Sequence, residues 1–136
     1  MISYETHILT NSDYYVYTPS NLAKKLFFYP ICIGSFRYES GYRLARDSYD
    51  SFLMMYILKG TCFVTVGSHT MQAMAGQLIF LDCYAPHAYG TDSGFEALWI
   101  HFDGPMARIF YETIVSEKGS LLYPAHPDAI HRSLYN

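Results

Sequence analysis

The stretch Gly76-Gln-Leu-Ile-Phe-Leu-Asp-Cys-Tyr-Ala-Pro-His-Ala-Tyr-Gly90 decides how the rest of the chain is read. Four apolar residues, Leu78 to Leu81, follow the opening Gly-Gln, and a break from Asp82 to Pro86 precedes a second short run, His87 to Tyr89. Runs of this length bounded by Gly, Asp and Pro read as two β-strands around a turn, because a helix needs a longer periodic stretch to bury one face. Asp82 suits such a turn, since its carboxylate accepts backbone N–H bonds from the residues that follow it. Cys83 has no His or Lys beside it in sequence to lower its thiol pKa, which argues against a nucleophile.

The same punctuation recurs on either side. Strands are expected near Tyr14 to Thr18, Ile31 to Tyr38, Phe52 to Lys59, Thr61 to Val66, His69 to Met74 and Phe95 to Phe102, with sharp reversals at Gly60 and Gly76. The clearest hairpin joins Cys62–Val66 to His69–Ala73 through Gly67-Ser68, where Gly at the first central position supplies the backbone twist that tight hairpins need. Closely spaced strands without intervening helices predict an all-β sandwich or barrel, which hides its strand edges by closing on itself.

The pattern changes at Asp103-Gly104-Pro105. Pro105 fits the first helical position, where its missing N–H costs nothing, and Met106, Ile109, Phe110, Thr113 and Ile114 share one face up to Lys118. Gly119 follows as a left-handed cap. A second helical pattern begins at Pro127, with Ile130 and Leu134 at i and i+4. It stops at Asn136, so a fragment of a longer protein is expected. The organisation expected is a barrel with an N-terminal arm over 1–104 and a truncated helical segment over 105–136.

Composition narrows the function. A chain of 136 residues, 51% hydrophobic and 15% charged with 14 Tyr and 9 Phe, has the apolar bulk for one globular core, which excludes disorder. Nine Lys+Arg against twelve Asp+Glu leave no cationic surplus to neutralise a phosphate backbone, so these residues are not expected to grip nucleic acid. Cys32, Cys62 and Cys83 are odd in number and lack CxxC spacing, so no disulfide framework is implied. The N-terminus has no leader-like apolar stretch, and Phe52 to Leu58, the longest apolar run, is too short to span a bilayer. A cytoplasmic location is expected.

Taken with Leu98-Trp-Ile-His-Phe-Asp-Gly104 and Tyr56-Ile-Leu-Lys-Gly60, the opening stretch resembles the second conserved motif of the cupin superfamily. More narrowly, residues from about Tyr14 to Gly119 resemble the N-terminal effector-binding domain of AraC-type bacterial transcription regulators. The resemblance implies a cupin barrel (a double-stranded β-helix or jelly roll) with one or two C-terminal helices that dimerise. In full-length members two helix-turn-helix motifs follow, which these residues do not contain. Metal-binding cupins carry a His-x-His pair and a Glu before the position of Gly60. The corresponding stretch here, Arg46-Asp-Ser-Tyr-Asp-Ser-Phe-Leu-Met-Met-Tyr56, has no His, and His87 with His101 alone falls short of a metal's ligand set. No metal and no cofactor are expected.

Five residues form the candidate ligand site: Arg46, His87, Tyr89, Trp99 and His101. The two-residue period puts His87 and Tyr89 on one face of their strand, and Ala97, Trp99 and His101 on one face of theirs. Each has an ordinary alternative. His87 bonds a backbone carbonyl and fixes the turn, or it faces a ligand. Trp99 is a core residue, or its indole covers the apolar face of a sugar ring while its N–H donates. Arg46 forms a surface ion pair with Asp47 or Asp50, or its planar fork holds hydroxyls or a carboxylate, as the resemblance implies for the pocket arginine of sugar-sensing members. Tyr89 also aligns with a pocket residue of that family, and His101 either bonds a neighbouring strand or lines the pocket floor. The aromatic runs Phe27 to Tyr29 and Tyr14 to Tyr17 are expected in the core and its rim.

The function expected is therefore that of a non-enzymatic, cytoplasmic sensor domain. It would bind a small molecule, a sugar by preference, and change how two protomers or their DNA-binding modules are arranged. The moving parts expected are the arm before Tyr14 or the loop near Arg46, with the helix from Pro105 to Lys118 at the dimer interface. The alternative is a metal-dependent cupin enzyme such as a sugar isomerase or dioxygenase.

Overall fold

The computed structural model describes residues 6–9, 12–25 and 27–124. Nine strands and two helices follow in the order β1 (Asp13–Val16), α1 (Asn21–Lys25), β2 (Tyr29–Tyr38), β3 (Arg43–Arg46), β4 (Phe52–Val66), β5 (His69–Met74), β6 (Leu78–Asp82), β7 (His87–Gly90), β8 (Phe95–Asp103), α2 (Ala107–Lys118) and β9 (Leu121–Leu122). All strand pairs are antiparallel. The expected second helix beyond Pro127 lies outside the described residues.

The architecture turns on β4. Its first half pairs with β6 and β8, its second half with β5 and β7, so one strand belongs to both sheets of the barrel. Gly60 was expected to reverse the chain; instead β4 runs through it. Gly60 has φ 80°, and a Cβ there would fall 2.3 Å from the Gly94 carbonyl oxygen. Only glycine allows that conformation and that approach together, so Gly60 bends the strand from one sheet into the other. The β4–β8 register shifts nearby, between Ile57 and Lys59.

Two apolar cores result, and their division explains why Phe52 to Leu58 reads as continuous hydrophobicity rather than alternation. Leu53, Met55 and Ile57 point into the barrel with Ile79, Leu81, Cys62, Val64, Tyr89 and Ala97. Phe52, Phe80 and Phe102 point the other way and lie under α2, which contributes Ala107, Phe110, Tyr111, Ile114 and Val115. Burying an aromatic or branched side chain removes about 1.5–3 kcal/mol of exposure cost, so this face holds α2 against the barrel.

The expected helix is present, but its buried face differs. Met106 and Ile109 are exposed, as is Thr113, whose hydroxyl bonds the Ile109 carbonyl. The inward stripe runs one position later, from Ala107 through Phe110, Tyr111, Ile114 and Val115. Pro105 precedes the helix, with Met106 at its N-cap, and Gly119 closes it at φ 77°, ψ −178° with its N–H bonded to the Val115 carbonyl. That cap has positive φ but is not left-handed helical. The rim aromatics also divide: Tyr14 packs on the barrel core, Phe28 meets Phe102 and Phe110 edge-on while staying exposed on its outer side, and Phe27, Tyr15 and Tyr17 are exposed.

Among the described residues no helix is long and apolar enough to cross a membrane.

Candidate ligand site inside the barrel

Two strand pairings place the site. β3, which was not expected as a strand, pairs with β7 so that Arg46 faces His87 and Leu44 faces Tyr89. Residues opposite one another in a ladder project to the same side, and Leu44 and Tyr89 both pack in the barrel core, so Arg46 and His87 point inward too. On the other wall, Trp99 lies opposite Met55 and His101 opposite Leu53, both core residues. The structure thus brings all five expected residues to the barrel interior from β3, β7 and β8.

A cavity of about 330 Å³ lies at the ends of β3, β4 and β7, lined by Arg46 and His87, by Asp47, Gly67 and Pro86 beyond the strand ends, and by Ala45, Thr65 and Ala88 from the strands' outward faces. Tyr89, Trp99 and His101 do not line this opening. They belong to the packed wall within: His101 is 6% exposed and Tyr89 8%, and the Trp99 and His101 rings lie 5.5 Å apart.

Each polar group has a defined state. His101 Nδ1 is 2.7 Å from the Ser51 hydroxyl, and its ring meets Tyr49 edge-on at 4.8 Å. Burial, followed by the nearby Arg46 and His87, lowers its pKa to about 3, so it is neutral at physiological pH. His87 Nδ1 lies 2.9 Å from the Ala85 carbonyl. A carbonyl only accepts, so Nδ1 carries the hydrogen and bonds the turn, and in the tautomer whose one ring hydrogen sits there Nε2 is an acceptor. Both readings weighed for His87 are therefore compatible, one for each nitrogen. Burial raises Tyr89 well above the usual phenol range and Cys83 to about 12, so both keep their protons, and Cys83 is no nucleophile.

Among the described residues two buried side-chain polar atoms have no partner, His87 Nε2 and Trp99 Nε1. Leaving such an atom unpaired costs about 1–3 kcal/mol, and native structures hold few of them. One is an acceptor and the other a donor. A hydroxyl-bearing molecule offers both complements, and the indole adds an apolar face against which a ring can lie.

Arg46 stands over the Tyr49 ring at 4.6 Å. The expected alternative, an ion pair with Asp47 or Asp50, does not form; the described ion pairs are Arg37–Glu96, Arg43–Asp92, Arg108–Asp82 and Arg108–Glu112. Among the described residues no three of His, Cys, Asp and Glu converge as a metal site would require.

Sequence reading missed Tyr49 and Ser51. Both lie in the connection before β4 and act on Arg46 and His101 from below, and nothing in their local spacing marks them. It also missed Gly34, whose bare backbone accommodates the indole. A Cβ there would fall 2.3 Å from Trp99 Cζ2.

The turn that presents His87 is also tied to α2. Asp82 accepts the Tyr84 N–H at 3.0 Å, fixing the turn as expected, and receives Arg108 of α2 at 2.9 Å. Arg108 lies over the Phe52 and Tyr84 rings, and the Tyr84 hydroxyl donates to Asp103.

Comparison with known proteins agrees with the fold. A family model described as the AraC-like ligand binding domain matches residues 29–134. A conserved protein of unknown function from Streptococcus pyogenes shares the fold at TM-score 0.53 and 22% identity, over 71% of this chain and 75% of that one. A cupin superfamily protein from Desulfitobacterium hafniense does so at TM-score 0.51 and 15% identity, over 74% and 82%. The cupin domain of a Schizosaccharomyces pombe protein does so at TM-score 0.52 and 11% identity, over 76% and 72%. A search of curated proteins returned no match.

Proposed function

The chain belongs to the family of AraC-like ligand binding domains, and from that premise we propose that it is the effector-sensing part of a transcription regulator, binding a hydroxylated small molecule, a sugar by preference, inside its cupin barrel. The observation that carries the reading is the pair of orphaned buried atoms, His87 Nε2 and Trp99 Nε1, on two facing walls of one interior. Arg46 supplies a cationic fork at the opening, while Tyr89 and the neutral His101 complete the polar lining.

Signal transfer follows from linkage, since a ligand shifts an equilibrium only by its differential affinity for the two arrangements. In this reading the element that responds is the turn from Asp82 to Pro86. His87 holds the Ala85 carbonyl at one end of it, and Arg108 of α2 holds Asp82 at the other. α2 presents Met106 and Ile109 to solvent, 41% and 58% exposed, apolar side chains suited to a second copy of the chain. A homodimer formed through α2 would pass ligand occupancy to a DNA-binding module attached beyond it. The domain acts by binding rather than catalysis, in the cytoplasm of a bacterium, without metal or cofactor.

The reading is tested by thermal shift of the purified chain against mono- and disaccharides and divalent metals. Stabilisation by a sugar, lost in both Trp99→Ala and Arg46→Ala when each variant is folded, supports it. Stabilisation by a transition metal alone, with no response to any sugar, contradicts it and favours the metal-dependent enzyme. Sedimentation of Ile109→Glu tests the dimer, which is expected to dissociate.

A further inference from the structure

We propose that the ligand is a hydroxylated carboxylic acid of the sugar-acid type, whose carboxylate pairs with Arg46 while its hydroxyls meet His87 and Trp99. This rests on the reading of the barrel interior as the effector site and adds the charge class of the effector.

The argument is one of unmatched charge. Of the four described arginines, Arg37, Arg43 and Arg108 each pair with a carboxylate, namely Glu96, Asp92 and Asp82. Arg46, the arginine whose strand points it inward, bonds none of them; its one described contact is the Tyr49 ring at 4.6 Å. A half-buried guanidinium with only a ring face beneath it leaves its in-plane donors free, and a carboxylate fits that fork with two parallel bonds.

Asp47 lines the same cavity but does not pair with Arg46, and no other described carboxylate does. Tyr49 and Tyr89 are held protonated by burial, Cys32 and Cys83 likewise, and His101 is neutral. His87, directly opposite in the ladder, brings no negative charge in either protonation state. Arg46 is therefore a cation whose guanidinium no described carboxylate bonds. In a partly dry site its field acts with less screening than at the surface, so an anion gains there what a neutral sugar does not. The cavity of about 330 Å³ lies within the range of small-molecule pockets, roughly 300–1,000 Å³.

The test is calorimetric titration of the full 136-residue chain with matched pairs that differ only at the acid position, galacturonate against galactose and glucuronate against glucose. The acid of at least one pair is expected to bind ten times or more tightly than its neutral partner. Arg46→Gln should abolish the preference, and Arg46→Lys, which keeps the charge without the fork, should retain part of it; circular dichroism confirms that both variants are folded. Equal or tighter binding of the neutral sugar, or a preference for the acid that survives Arg46→Gln, overturns the charge assignment and leaves the sensor reading standing. Binding of neither member of either pair overturns both.

Discussion

Gly34 on β2 lies directly opposite Trp99 on β8, and a Cβ at position 34 would fall 2.3 Å from Trp99 Cζ2. Real Cβ atoms do not approach so closely, so the glycine is the seat on which the indole rests. Gly34→Ala is expected to displace the ring and destabilise the fold by about 1–3 kcal/mol, the usual cost of overpacking. Chemical denaturation measures this directly. The cost should shrink in a Trp99→Leu background, because the clash is with the indole. An equal cost in both backgrounds would refute the relationship.

The neutral His101 makes stability depend on acid. Its pKa is lowered from 6.5 to about 3 in the folded chain, so below pH 6.5 the unfolded chain takes up a proton that the native one refuses. Stability is then lost progressively as pH falls from 6.5 towards 3 and is fully present above 6.5. His101→Asn removes the titrating group, and its denaturation midpoint should fall less steeply than that of the parent over this window. Parallel slopes would contradict the burial of a neutral imidazole.

His87 uses its two nitrogens differently, and two substitutions separate them. Asn offers a donor near the Nδ1 position and nothing near Nε2, whereas Gln does the reverse. His87→Asn is expected to keep the bond to Ala85, change stability by less than about 1 kcal/mol, and weaken effector binding at least tenfold. His87→Gln should lose more stability and retain more affinity. The opposite ordering in denaturation and calorimetry would reverse the roles assigned to the two atoms.

Asp82 is tied to the turn by a backbone hydrogen bond and to α2 by an ion pair, whereas Arg108, half exposed, meets the turn only through that ion pair and the face of the Tyr84 ring. Arg108→Ala is expected to cost about 1 kcal/mol or less, since exposed charge is screened, and Asp82→Ala about 1–2 kcal/mol, since it also strips the Tyr84 N–H of its acceptor. Urea denaturation separates them. An Asp82→Ala cost no larger than that of Arg108→Ala would show that the turn does not depend on the carboxylate.

Much of the fold was legible because strands leave local marks. The Gly67-Ser68 hairpin, the run from Leu78 to Leu81 and the alternation of Ala97, Trp99 and His101 all depend on neighbours in sequence. What escaped depends on distant partners. β3 is four residues with two arginines, and it becomes a strand only because β7 pairs with it. Gly60 reads locally as a turn, yet its close approach to Gly94 keeps it inside β4. The inward face of α2 slid by one position because Phe52, Phe80 and Phe102 form the surface that receives it. At the site, the inward faces of β7 and β8 followed from period two, while Tyr49 and Ser51 find Arg46 and His101 only through the folded chain.

Trp99 is the single tryptophan of the chain and stands in the wall of the proposed site, so its emission reports on occupancy without a label. Fluorescence titration of the purified chain with the panel of sugars and sugar acids is therefore the most direct measurement of the account. A saturable change in intensity or wavelength, with a midpoint matching that from calorimetry and weakened at least tenfold by His87→Asn, is the predicted result. A compound that binds by calorimetry while Trp99 emission stays constant, or that binds the His87→Asn variant unchanged, would place the ligand elsewhere and contradict the account.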